Sequence, residues 1–163
     1  MKIYFATHST TKDNEAHLSS GWKDIELSDL GIQQSKELGE RFIDIKIDLA
    51  CCSDLKRAVD TVKLAFEDKY PVIVDKRLKE LNYGDFNGKS SEVVEPMKVK
   101  HTKEPFPNGE SYELAIARTH EFYRELKEKY PDNIVLIVGH RATQYGLDTN
   151  VPFKWQPYWE YDL

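Results

Sequence analysis

The chain has 163 residues, enough for one domain spanning 1–163 with a proper core, and 23 basic against 28 acidic side chains leave it at −5. That balance argues against nonspecific nucleic-acid binding and against docking on an anionic membrane surface, though not against a local basic pocket. No apolar stretch is long enough to span a bilayer and the N-terminus has no secretory h-region, while Cys51 and Cys52, adjacent in an apolar run, read as buried, reduced thiols of a cytoplasmic protein.

Lys2 to Ala6 is rich in β-formers and predicts a buried strand that runs straight into the polar cluster Thr7-His8-Ser9-Thr10-Thr11. Open α/β sheets place ligands at such carboxyl strand ends. Thr10 to Gly21 reads as loop and keeps Asn14 close to His8. Ser28 predicts an N-cap, with Asp29 at the positive end of the helix dipole and Leu30, Leu38 and Phe42 on one face. Asp48 to Cys52 is the second strand. Ser53 is the next N-cap candidate, and the spacing of Leu55, Ala58, Val59, Val62, Ala65 and Phe66 predicts an amphipathic helix, with Arg57 off that stripe.

Val72 to Val74 is the third strand. The residues from 84 to 109 mix glycine, proline and charge, and read as an irregular segment capping the site. Its Lys89, Lys98, Lys100, His101 and Lys103 are read as solvated and balanced by Glu92, Glu95 and Glu104. A helix is predicted from Ser111 to Lys129 with Tyr112, Ile116, Thr119, Tyr123, Leu126 and Tyr130 on one face. Ile134 to Gly139 is an apolar strand ending on His140-Arg141. The order of elements predicts an α/β fold, a three-layer sandwich with a mostly parallel central sheet flanked by helices. Little chain separates His140 from Val151. Phe153, Trp155, Tyr158, Trp159 and Tyr161 then crowd the tail, which reads as a final strand packed by large aromatics, with a homodimer surface or a wall of the site as the sharper alternatives.

Gly84-Asp85-Phe86-Asn87-Gly88-Lys89-Ser90 imitates a phosphate-binding loop but is one residue short between its glycines and does not join a strong strand to a strong helix. No set of ligands has metal-site spacing. What remains is a constellation: a strand-end His8 as nucleophile, Arg57 at a helix start as a phosphate clamp, Glu80 in a loop as general acid, and a second strand-end His140 as donor. Taken singly, each residue is more often structural.

Their order and flanks resemble the histidine phosphatase superfamily, the phosphoglycerate mutase-like proteins. The resemblance rests on Thr7-His8-Ser9-Thr10-Thr11 with Asn14, on Leu27-Ser28-Asp29-Leu30-Gly31-Ile32-Gln33-Gln34, and on Ser53-Asp54-Leu55-Lys56-Arg57-Ala58-Val59-Asp60-Thr61. It continues through Leu78-Lys79-Glu80-Leu81-Asn82-Tyr83-Gly84 with Gly88, Pro107-Asn108-Gly109-Glu110-Ser111, and Val138-Gly139-His140. It implies a phosphomonoesterase that acts on a small phosphorylated metabolite through a phosphohistidine on His8, with Arg57 and His140 on the phosphoryl oxygens and Glu80 serving the leaving group and then water. It implies no metal or other cofactor. Thr7, Ser9 and Asn14 fall at the family's substrate-side positions.

The family's first motif is Arg-His-Gly. Thr7 therefore removes a guanidinium, which weakens the expected activity, and Arg141 is an expected replacement from the other side of the pocket. Thr7 and Ser9 also motivate the main alternative, a degenerate member that binds a phospho-ligand or a protein without turnover. A phosphoglycerate mutase is disfavoured because those of this family carry extra segments that close the site. A phosphohistidine-protein phosphatase is disfavoured because the short ones lack the Glu80 and Tyr83-Gly84 segment.

Overall fold

In the computed structural model, residues 1–151 and 156–163 are described. The chain runs through β1 (Lys2–Thr7), α1 (Lys12–Glu15), β2 (Leu18–Ser19), α2 (Asp29–Arg41), β3 (Leu49–Cys52), α3 (Lys56–Phe66) and β4 (Val72–Val74). It continues with β5 (Lys89–Ser90), α4 (Ser91–Met97), α5 (Tyr112–Lys129), β6 (Ile134–Gly139), α6 (Arg141–Tyr145) and β7 (Trp159–Asp162). The main sheet has the order β4-β3-β6-β1-β7. Its first four strands are parallel, and β7 closes the β1 edge antiparallel. β1 and β6 are neighbours in register, with Thr7 opposite Gly139, so His8 and His140 leave the same end of the sheet side by side.

Alternation along the strands builds two cores. Tyr4, Ala6, Leu136 and Val138 pack with Leu38, Phe42, Val62 and Phe66 of the α2–α3 layer. Ile3, Phe5, Val135 and Ile137 pack on the other face with Phe122, Tyr123 and Leu126 of α5. This is the expected three-layer α/β arrangement. Cys51 and Cys52 take opposite faces of β3, and burial pushes the Cys52 thiol up to about 12 and raises Cys51 as well. Burying each large side chain contributes about 1.5–3 kcal/mol. α2 and α3 approach so closely that a Cβ on Gly39 would lie 2.0 Å from the Ala65 carbonyl oxygen. No helix among the described residues is long and apolar enough to cross a membrane.

Several details differ from the sequence reading. Leu30 is 52 % exposed, because the buried face of α2 runs through Gly31, Ser35 and Leu38 instead. α5 buries Ala115, Thr119, Phe122, Tyr123 and Leu126, a stripe turned toward the sheet relative to the expected Tyr112–Ile116 line. The expected loop from Thr10 to Gly21 contains α1, which Thr11 and Asn14 start by capping each other reciprocally, and it contains β2. Segment 84–109 holds β5, which pairs with β2, and α4. Its Val94 and Phe106 join Leu81, Tyr83, Ala115 and Ala142 in a third cluster. Lys98 pairs with Glu95 and Lys100 with Glu104, as expected, whereas His101 is buried and stacked on Phe106. In the tail, β7 is the expected last strand. Tyr158 packs on Tyr4 and Phe42, and Trp159 packs on Phe5, while Phe153 and Trp155 lie outside the described residues.

Candidate active site

His8 sits where β1 ends. Its Nδ1 lies 2.8 Å from the Ser9 carbonyl oxygen, which can only accept, so Nδ1 carries the proton. Its Nε2 then holds a lone pair, and Arg57 Nε–H donates to it at 3.3 Å. Ser9 is itself fixed, since its N–H donates to Thr61 Oγ1 and its hydroxyl accepts from Ser35. Burial, with the Arg57 charge added, holds the His8 imidazole down to about 3, so it is neutral near pH 7. A neutral imidazole whose Nε2 lone pair is held by the Arg57 N–H becomes a nucleophile once that donor turns to a phosphoryl oxygen.

Arg57 lies in the first turn of α3, but its side chain is only 2 % exposed. Its Nη2 and Nη1 donate to the carbonyls of Gly21 and Lys23, which seats the guanidinium under the loop before α2. Gly21 is required there: its φ is +53°, and a Cβ would lie 1.9 Å from Asn87 Oδ1. Glu80 comes from the segment after β4. Its Oε1 accepts from the Leu81 and Ala142 N–H groups at 2.7 and 3.2 Å, so proton traffic falls to Oε2. The Trp22 indole donates to the Glu80 carbonyl, and Lys79 Nζ stands 4.7 Å over the Trp22 ring.

His140 is fully enclosed, its ring 5.0 Å from that of His8. Burial, then the Arg57 and His8 neighbours, keep it well below the usual imidazole range. Its Nε2 lies 2.7 Å from Ser53 Oγ. Ser53 Oγ already accepts the Leu55 N–H, so its own proton is available for Nε2. That assignment leaves the His140 proton on Nδ1, which has no partner among the described residues. A buried polar atom left without a partner costs about 1–3 kcal/mol, and a ligand oxygen would relieve that cost. Ser53 is thus not the N-cap of α3; that position is taken by Leu55, which makes no side-chain cap. The sequence reading gave Ser53 a local role when its partner lies 87 positions away.

His8, Arg57, Glu80 and Asn14 line one cavity of about 180 Å³, together with Ser20, Tyr83, Ser91, Glu95 and Lys98. Asn14 Oδ1 is taken by the Thr11 N–H and hydroxyl, so its Nδ2 is the group it can offer a ligand. Three of the expected substrate-side residues lie elsewhere. Thr7 and Ser9 line a second cavity of about 60 Å³ with Gln34, Glu37 and Arg41, which His8 also borders. Neither His140, which lies behind His8, nor Arg141 is among the residues lining the His8–Arg57 cavity. As the first residue of α6, Arg141 turns along the helix, donating to Tyr145 Oη, Gln144 Oε1 and the Val151 carbonyl.

A model of the histidine phosphatase superfamily (branch 1) matches residues 3–147. The chain belongs to that superfamily. The chain is 43 % identical over 96 residues to the 2,3-bisphosphoglycerate-dependent phosphoglycerate mutase of Streptococcus mutans, a match covering 55 % of the chain and 42 % of the mutase. It therefore spans less than half the length of such curated relatives. Among solved structures it is similar to the alpha-ribazole phosphatase of Shigella flexneri, with 27 % identity and a TM-score of 0.79 over 88 % of the chain and 76 % of that protein. It is also similar to the mycobacterial glucosyl-3-phosphoglycerate phosphatase, with 28 % identity and a TM-score of 0.78 over 93 % and 83 %. The superfamily's sheet, with β1 and β6 paired in parallel, accounts for the pairing of the two histidines.

Proposed function

We propose that the chain is a phosphomonoesterase that hydrolyses a small phosphorylated metabolite through a phosphohistidine on His8, without a metal. The observation that carries this reading is the His8 geometry: Nδ1–H is fixed on Ser9, and the Nε2 lone pair faces Arg57. In the first step Nε2 attacks phosphorus, the P–O bond to the leaving group breaks, and Glu80 gives the departing oxygen its proton. The Arg57 Nε–H, released from His8 Nε2 as that nitrogen attacks, and the His140 Nδ1–H stabilise the phosphoryl oxygens as charge develops. In the second step the Glu80 carboxylate takes a proton from water as the water attacks phosphorus. The P–N bond breaks, phosphate leaves and neutral His8 returns. The solved structures named as phosphatases for two different small phosphorylated molecules support this class.

Thr7 stands where the family motif has arginine, which leaves Arg57 as the guanidinium of the cavity. Losing one donor at comparable oxyanion sites costs about 10²–10³ in rate, so turnover is expected to be slow. The experiment is phosphate release from a panel of phosphomonoesters in the presence of a chelator, with the unaltered chain beside His8→Ala. Turnover that survives the chelator and vanishes in His8→Ala is the expected result. Phosphate binding without turnover on any ester would replace this reading with a binding module.

A further inference from the structure

We propose that Arg118, on α5, is the positioning residue for the general acid of this site, acting through the backbone of Glu80. The inference rests on the phosphomonoesterase reading above. Arg118 and Glu110 are a half-buried pair, their side chains 15 % and 16 % exposed, joined bidentately by Nε to Oε1 at 2.9 Å and Nη2 to Oε2 at 3.0 Å. The same guanidinium donates to three consecutive-region carbonyls. Nη1 reaches Arg77 at 2.6 Å and Lys79 at 2.8 Å, and Nη2 reaches Glu80 at 2.9 Å. Glu110 then takes the far side, accepting the Asn82 N–H at 3.0 Å while its own N–H donates to the Asn82 carbonyl at 2.9 Å. Glu80 is bracketed between residues held by one ion pair.

The bracket matters because residues 79–83 belong to no helix or strand, so no backbone ladder fixes them. A planar fork with fixed donors can hold several carbonyls in one geometry, which an ammonium cannot. α5 does not need this arginine for its own packing, since Ala115, Phe122, Tyr123 and Leu126 seat it. The clamp therefore determines where the Glu80 carboxyl stands relative to His8. A misplacement of about 1 Å costs roughly a hundredfold when groups must meet in one geometry.

The test separates positioning of an acid from general loosening by comparing leaving groups. p-Nitrophenyl phosphate leaves without a proton, whereas glycerol phosphate needs one. For kcat/KM, Arg118→Lys is expected to cost about tenfold or more on glycerol phosphate and less than about threefold on the aryl ester, within the range general-acid catalysis supplies. Glu110→Gln is expected to show the same selectivity. In a Glu80→Gln background the Arg118→Lys loss on glycerol phosphate should disappear. Equal losses on both esters, a loss that persists without Glu80, or failure of both variants to fold would overturn the proposal in favour of a structural role. A His8→Ala chain as active as the unaltered one would instead overturn the reading beneath it.

Discussion

At the residue scale, one interaction separates the two sides of the α6 start. His140 turns into the fold and meets Ser53, while the next residue, Arg141, turns along the helix to Tyr145, Gln144 and the Val151 carbonyl. A guanidinium committed in this way braces the turn after α6. Arg141→Ala is expected to leave kcat/KM and inhibition by inorganic phosphate within about threefold, and to lower stability by about 1–2 kcal/mol through lost bonds to partly buried acceptors. Steady-state kinetics beside urea unfolding decide the matter. A tenfold loss of phosphate inhibition with unchanged stability would place Arg141 on the phosphate in place of the guanidinium missing at Thr7.

At the element scale, the contact of α2 with α3 shapes the site, because α3 delivers Arg57 and the turn before α2 meets the loop that follows His8, the Ser28 N–H donating to the Thr10 carbonyl. A Cβ at Gly39 would meet backbone at 2.0 Å, and backbone cannot rotate aside. Gly39→Ala should therefore destabilise the chain by about 1–3 kcal/mol despite the better helix propensity of alanine, read as a lower urea midpoint at unchanged slope. A variant as stable as the parent would mean that the two helices separate freely. The strands and long helices could be read from the sequence because their signals are local: continuous β-forming apolar runs in β1 and β6, and a periodic stripe with Ser28 or Ser111 at its start. His8, Arg57, Glu80 and His140 could be singled out because their flanking residues carry a pattern. What could not be read depends on contacts remote in sequence. Ser53 offered a cap signal, and only the fold puts His140 against it. Leu30 satisfied a period but landed on the wet side. Arg118 acts on backbone carbonyls, which every residue possesses, so nothing in the sequence marks its partners.

At the scale of the whole molecule, two neutral imidazoles, the enclosed His140 and the half-buried His8, tie the site to acid stability. His8 is held near 3 by burial and the Arg57 charge, and His140 is held well below its usual range by burial, Arg57 and His8. In the unfolded chain both titrate near 6.5. Above that value neither state binds the proton, so these residues leave stability flat. Below it the unfolded chain takes up protons that the folded chain refuses, so stability falls as pH falls from about 6.5 toward the folded values. The ceiling is about 1.4 kcal/mol per pH unit for each imidazole, and His8, which keeps an open edge to the cavity, should fall short of it. Urea midpoints between pH 7.5 and 4.5 should hold level and then drop, and His8→Gln should remove a large share of the drop while leaving the level part level. A drop of the same steepness in His8→Gln would show that the His8 imidazole is readily protonated in the folded chain, and its readiness as a nucleophile would then need another source. The same bias that makes the fold acid-sensitive keeps His8 Nε2, the nitrogen that attacks in the proposed mechanism, unprotonated at neutral pH, so this stability curve also reports the chemical state that the proposal requires of it.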